Sequence, residues 1–318
     1  MKIKELYELA IKKGIEQDPR GKERVAQELK RLKKQYEKLS AQDKEEFDVE
    51  RLRNPYSDTR ILCGDANKQV KRILIGIDID PSEILLAERL SDKGKKIDLV
   101  ISHHPEGKAL AALHQVMSMQ ADIVNLRGVP IRIAEDLLNK RIGEVERKLL
   151  PVNHNKTIDT ARLLNVALVC IHTPADNHVT TFLQRLMNKR KPEIVGEIVD
   201  ILKSVPEYKL AVKNNAGPKI ISGTDSARCG KVFVDMTGGT EGSKEIFKNL
   251  AQAGVGTIIG MHLSEEHLKK AKAEHINIVI AGHISSDNVG LNLLLDGIEK
   301  KQKLDIISCA GFNRIRRK

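Results

Sequence analysis

Residues 71–104 read KRILIGIDIDPSEILLAERLSDKGKKIDLVISHH, and they hold one βαβ unit. The branched, apolar run KRILIGIDI predicts a strand. PSEILLAERLSDKG predicts a helix opened by Pro81 and closed near Gly94, because proline suits the first helical turn and glycine the end. IDLVI then predicts a second strand that is apolar on both faces, as a parallel sheet covered by helices requires. The fold class that follows is α/β.

Working outward, helical regions at 108–120 and 130–148 precede a helix and a strand, Val166–Ile171, and residues 177–202 again read as helical. Strands and Gly-rich turns from 210 to 242, with a helix at 243–253, define a second α/β subdomain, 186–254. The β–α rhythm returns in GTIIGMH, SEEHLKKAKAEH and INIVIAGH, so 255–318 is grouped with 61–185 as one α/β domain. Residues 1–60 form an N-terminal helical arm. Leu6, Leu9, Ala10 and Ile15 give it one apolar stripe, and Val25, Leu29, Leu32, Tyr36 and Leu39 give a second. Its balanced charge suits a solvated surface, and Asn54, Pro55, Ser57 and Asp58 mark the break after it. No fixed-period repeat is visible, and FNRIRRK at the end reads as a basic strand or tail.

Composition bounds the function. A chain of 318 residues with 41% hydrophobic content is long enough to bury about 75% of its unfolded surface, without help from disulfides. The four cysteines form no C-x-x-C pair, which argues against a disulfide framework or a zinc ribbon and for a reducing cytoplasm. No apolar run approaches a membrane span, and charge interrupts the start before a signal peptide could form. The net charge of +11 is a modest surplus, and aromatics are 3% with no Trp. Nucleic-acid binding is therefore left open but not favoured, while an anionic small-molecule ligand fits the same surplus.

Three polar clusters end predicted strands: His103 and His104, His172 and Asp176, and His283 and Asp287. Strand ends of an open α/β sheet are where ligands bind. Imidazole and carboxylate donors suit Zn, Fe, Mn or similar ions. Five ligands, His103, His104, Asp176, His283 and Asp287, exceed one tetrahedral zinc and suit two divalent ions per subunit. The plainer reading of any one histidine is a solvent-facing or hydrogen-bonded ring, and Asp176 would also serve to cap a helix beginning near Asn177. His172 is expected to orient Asp176 rather than to hold an ion itself. His262, after TIIGM, is a candidate proton shuttle, and Asp78 a candidate support. Asp80 before Pro81 fits an N-cap. Gly238, Gly239 and Gly242 suggest an anion-cradling loop, but no G-K-[ST] follows, so it is not a P-loop.

The pattern GIDID, IDLVISHHPEG, ALVCIHTPADN and a late Gly-His segment resembles the GTP cyclohydrolase 1 type 2 homolog family, also called Ngg-interacting factor three proteins, from about Val70 to the final helix. The resemblance implies two intertwined α/β domains around mixed sheets, a homohexamer built from dimers, and a dinuclear metal centre. It matches His103, His104, Asp176 and His283 to the family's ligands, and implies a hydrolase acting on a nucleotide or another phosphorylated small molecule, GTP included. The alternative is a metal-stabilised scaffold or regulatory interaction protein. One departure is visible: the family's glutamate four residues after the last histidine is Asp287 here. That costs about 1.5 Å of reach, one carbon–carbon bond.

Overall fold

The structure, a computed structural model, describes residues 1–317. Strands β1 (Arg60–Cys63), β2 (Arg72–Gly76), β3 (Leu99–Ser102) and β4 (Leu168–Cys170) join the late strand β9 (Asp305–Ser308) in the order β1-β4-β3-β2-β9. β5 (Lys219–Ser222), β6 (Lys231–Asp235), β7 (Val255–Gly260) and β8 (Asn277–Ile280) form a second sheet in the order β5-β8-β7-β6. Only β1 against β4 and β5 against β8 run antiparallel.

The βαβ unit of residues 71–104 is present, with Ile73 paired to Leu99 and Gly76 to Ser102. Its helix, Pro81–Asp92, starts at Asp80, which forms a capping box with Glu83. Both faces of the sheet are covered. Ile73, Ile75, Leu99 and Ile101 enter one buried cluster, and Leu74, Val100 and Leu168 enter another with Ile84, Ala87 and Ala161. This is why these strands lack polar alternation.

The two sheets repeat one plan. In each, an antiparallel edge strand is followed 12 residues later by a parallel one, Arg60 to Arg72 and Lys219 to Lys231. The strand orders β1-β4-β3-β2 and β5-β8-β7-β6 correspond position by position. β4 leads into the helix Thr173–Arg190, and β8 into the helix His283–Glu299. The repeat survives as spacing and topology rather than as matching letters, so it escapes a search for a fixed period.

Two boundaries differ from the sequence reading. β7 and β8 pair with β6 and β5, so residues 255–280 continue the second sheet, and only β9 returns to the first. The β–α rhythm after residue 254 marks parallel crossovers within one sheet, and rhythm alone does not say which sheet. The arm is also divided. Its first helix, Ile3–Glu16, buries Ile3, Leu6, Leu9 and Ala10 in the main core, and its Gly14 lies so close to Pro174 that an added Cβ would stand 2.7 Å away. The second helix, Lys22–Glu37, buries only Val25 and matches the solvated surface expected. The break is interior too: Asn54, Tyr56, Asp58 and Arg60 are all buried. The Arg60 cation is held by Asp48 and by the carbonyls of Tyr56 and Thr59. Of the C-terminal segment, the described residues Asn313, Ile315 and Arg317 run along the last helix, pinned by Asn288, Asn292 and Asp296.

Candidate metal centre

The strand ends predicted to carry ligands meet at one place. His103 Nε2 lies 3.5 Å from Asp176 Oδ1 and 3.5 Å from Asp287 Oδ1. His104 Nε2 lies 3.5 Å from Asp287 Oδ2, and His172 Nε2 lies 3.6 Å from Asp176 Oδ2. These contacts are too long for hydrogen bonds. They match the roughly 3.4 Å that separates two donors about 2.1 Å from a tetrahedral ion. His103 Nε2, His104 Nε2, Asp176 Oδ1 and both Asp287 oxygens are buried without a hydrogen-bond partner. Such a concentration of orphaned donors and acceptors is costly unless a cation joins them. The residues therefore fit a metal. They form two candidate triads, His103–His172–Asp176 and His103–His104–Asp287, sharing His103. One imidazole nitrogen has one lone pair, so His103 serves one ion at a time and the carboxylates are the groups able to bridge.

Each ring is held from behind. His103 Nδ1 donates to the Ile171 carbonyl at 3.1 Å, His104 Nδ1 to Asp78 at 2.6 Å, and His172 Nδ1 to Asp58 at 2.8 Å. An acceptor at Nδ1 puts the proton there and leaves Nε2 bare for a metal. Strand register explains both carboxylates. Gly76 opposite Ser102 in the parallel β2–β3 pair carries Asp78 to His104, two residues further on. Arg60 opposite Cys170 in the antiparallel β1–β4 pair carries Asp58 to His172. Asp78 thus stands behind His104, in contact with its Nδ1. Asp58 was missed, because a turn-forming aspartate before a strand gives no sign of its partner until β1 is known to pair with β4.

The remaining candidates divide. Asp176 lies in the first turn of a helix that starts at Thr173, so it is not the cap residue and its carboxylate faces the cluster. His172 belongs to one of the candidate triads, its Nε2 turned toward Asp176. His283 belongs to neither triad. Its Nε2 is 3.8 Å from Asp287 Oδ2 and its side chain is 41% exposed. His262 stacks near His283, with ring centroids 4.8 Å apart, and donates from Nδ1 to Glu241 at 3.1 Å. It stands two residues past the end of β7, as His104 stands two residues past the end of β3 in the repeated plan. The Glu241 hydrogen bond raises its pKa above the ordinary value.

Shared neighbours drive the two buried carboxylates apart. Burial keeps Asp176 protonated well above the usual range. Burial also opposes ionisation of Asp287, but His103, His104 and His283 overcome it and hold the group below the usual range. For His104, burial resists protonation while Asp287 and Asp78 outweigh it and lift the imidazole to about 9. Because that value lies above 6.5, protonated His104 stabilises the metal-free protein fully below about pH 6.5, and the contribution is lost as pH rises through about 9. A metal needs the bare nitrogen, so its apparent affinity should climb over the same interval. Metal titrations across that range should show the rise, and a flat profile would place the ion away from His104.

The Asp58–His172 pair yields a second prediction. Asp58 is fully buried and also accepts from the Thr173 hydroxyl at 2.6 Å. Asp58→Asn should weaken metal binding by about 10–100-fold, the usual effect of losing a ligand's supporting carboxylate. Competition with a chromogenic chelator measures it, and unchanged affinity would exclude His172 as a ligand.

A cavity of about 100 Å³ opens on His172, Asp176, His283 and Asp287, with Asp235, Glu241 and His262 also lining it and Phe247, Leu250, Ile258, Ile278 and Ile280 as apolar wall. No Lys or Arg lines it among the described residues, so the anionic ligand expected from net charge finds no cationic side chain here. The loop at Gly238–Gly242 is not an open anion cradle either. Gln120 fills its concavity, donating to the Gly238 and Thr240 carbonyls at 2.7 and 2.6 Å. Among the described residues, no helix is long and apolar enough to cross a membrane.

Comparison with solved structures finds similarity to a NIF3 superfamily protein from Sphaerobacter thermophilus, at 27% identity and a TM-score of 0.70, covering 80% of this chain and 92% of that one. The fold is also similar to that of reduced HcgD from Methanocaldococcus jannaschii, at 19% identity and a TM-score of 0.50, covering 78% of this chain and 87% of that one. No protein-family model matches the sequence, and no curated protein matches it.

Proposed function

Because the chain is a structural homologue of the NIF3, or GTP cyclohydrolase 1 type 2, superfamily, at a sequence distance that fits a divergent member, we propose that it is a metal-dependent hydrolase with a dinuclear centre. The observation that carries the reading is the set of orphaned nitrogens and carboxylate oxygens facing one another at about 3.5 Å beside a cavity. Two divalent cations held there would supply Lewis acidity and an acidified water. His103, His104, His172, Asp176 and Asp287 hold them, with His283 at the exposed margin. Asp58 and Asp78 fix two of the rings. As the imidazolium, with its Nδ1 proton held on Glu241, His262 would have an Nε2 proton to give to a leaving group. A homohexamer and a cytoplasmic location belong to the same proposal, the latter supported by four cysteines that are all free.

The scaffold alternative draws on the nearly complete burial of His103, Asp176 and Asp287. Exposure of the His104 and His283 side chains at 25% and 41% favours chemistry instead, since it leaves a route from solvent to the centre. The test is metal analysis of purified protein, followed by hydrolysis assays on GTP, phosphoesters and small amides before and after chelation. Metal-dependent turnover of any class supports the enzyme. Metal-bearing protein inert toward all three, with a large melting shift on chelation, would favour the scaffold.

A further inference from the structure

The cavity at the metal centre has a chemical character opposite to that of the chain as a whole. Of 54 Lys and Arg residues, none among those described lines it, whereas Asp176, Asp235, Glu241 and Asp287 all do. With four carboxylates and no Lys or Arg in the lining, a polyanion would find its attraction in the metal ions alone, against the field of those carboxylates. Arginines near the C-terminus are engaged elsewhere. Arg314 is bound to Asp296 and Glu299, Arg316 to Glu299, and Arg317 to Glu207. The nearby glycine loop is closed to phosphate, because Gln120 occupies the space that an anion would need. Size points the same way: about 100 Å³ lies well below the roughly 300–1,000 Å³ of sites that enclose drug-sized ligands. Part of its lining is an apolar wall, made by Phe247, Ile258, Ile278 and Ile280.

We propose that this cavity selects an uncharged ligand of a few heavy atoms, with a carbonyl-type polar group at the histidine and carboxylate end and a short apolar group against the Phe247–Ile280 wall, and that it discriminates against nucleotides and other phosphate-bearing molecules. The proposal rests on the metal-centre reading above and deepens it by naming the ligand class. It requires hydrophobic burial to provide the affinity that charge does not.

The experiment is calorimetric binding to metal-replete protein, with metal content measured before and after each titration. The probes are acetamide, propionamide and butyramide on one side, and pyrophosphate and GTP on the other. Affinity should tighten about fourfold per added methylene until the cavity is full, and pyrophosphate and GTP should bind at least tenfold more weakly than the best amide. In Ile280→Ser the chain-length dependence should flatten. Tighter binding of pyrophosphate or GTP to protein that keeps its metal, or no dependence on chain length in the unaltered protein, would overturn the ligand class alone. Protein that takes up no metal would instead overturn the centre on which the class rests.

Discussion

Replacing Asp287 with asparagine should weaken metal binding by more than about 100-fold, beyond the 10–100-fold range for a supporting residue. The reason lies in how many partners this one carboxylate serves. Its oxygens face His103, His104 and His283 at 3.5, 3.5 and 3.8 Å, and the residue is 1% exposed. An amide keeps the shape but supplies neither negative charge nor a second acceptor oxygen. At a metal concentration far above the dissociation constant, a hundredfold loss of affinity removes about 2.7 kcal/mol of metal-linked stabilisation. The metal-induced rise in melting temperature should shrink accordingly. The His104 imidazole should also fall back from about 9, because Asp287 is the main group that raises it. Thermal melts with and without metal, together with an NMR titration of the histidines, read both effects. An Asp287→Asn protein with an undiminished metal-induced melting shift would mean that Asp287 is not a ligand.

Much of this centre could be anticipated from the chain, and the limits are instructive. His103, His104, Asp176 and Asp287 follow apolar runs short enough to be strands, so their convergence was expected from where such strands end. Periodicity shows that Leu6, Leu9 and Ala10 share a helix face, but not that the face docks on the main core with Gly14 against Pro174. The roles of Asp58 and Asp78 depend on strand register, a non-local property. The direction of the His172 Nε2 is hidden for a similar reason: its distance from Asp176 in sequence is clear, but its orientation depends on the Asp58 contact behind it. The membership of β7 and β8 is invisible for the same cause, since a βα rhythm reads identically in either sheet.

Asp287 is the shorter acid where reach matters, and Gly290 explains how it arrives. The helices Thr173–Arg190 and His283–Glu299 carry Asp176 and Asp287, and they touch at a point where a Cβ on Gly290 would stand 2.4 Å from the Ala175 carbonyl oxygen and 2.9 Å from its carbon. Backbone is what would be struck, so no side chain can turn aside. Gly290→Ala must therefore push the two helices apart by about 1 Å or distort one of them, at a cost of roughly 1–3 kcal/mol for overpacking. The same displacement carries Asp287 away from His103 and His104. Metal distances tolerate only about 0.2 Å, so affinity should fall steeply in addition to the loss of stability. Gly290→Ala combined with Asp287→Glu separates the two effects, because the extra carbon restores about 1.5 Å of reach without relieving the overpacking. The double variant should regain most of its metal affinity but keep its lowered melting temperature in the metal-free state. Asp287→Glu alone should bind metal worse than the unaltered protein, its longer side chain being forced into a site spaced for aspartate. If the double variant binds metal no better than Gly290→Ala, the close helix approach is not what compensates for the shorter acid.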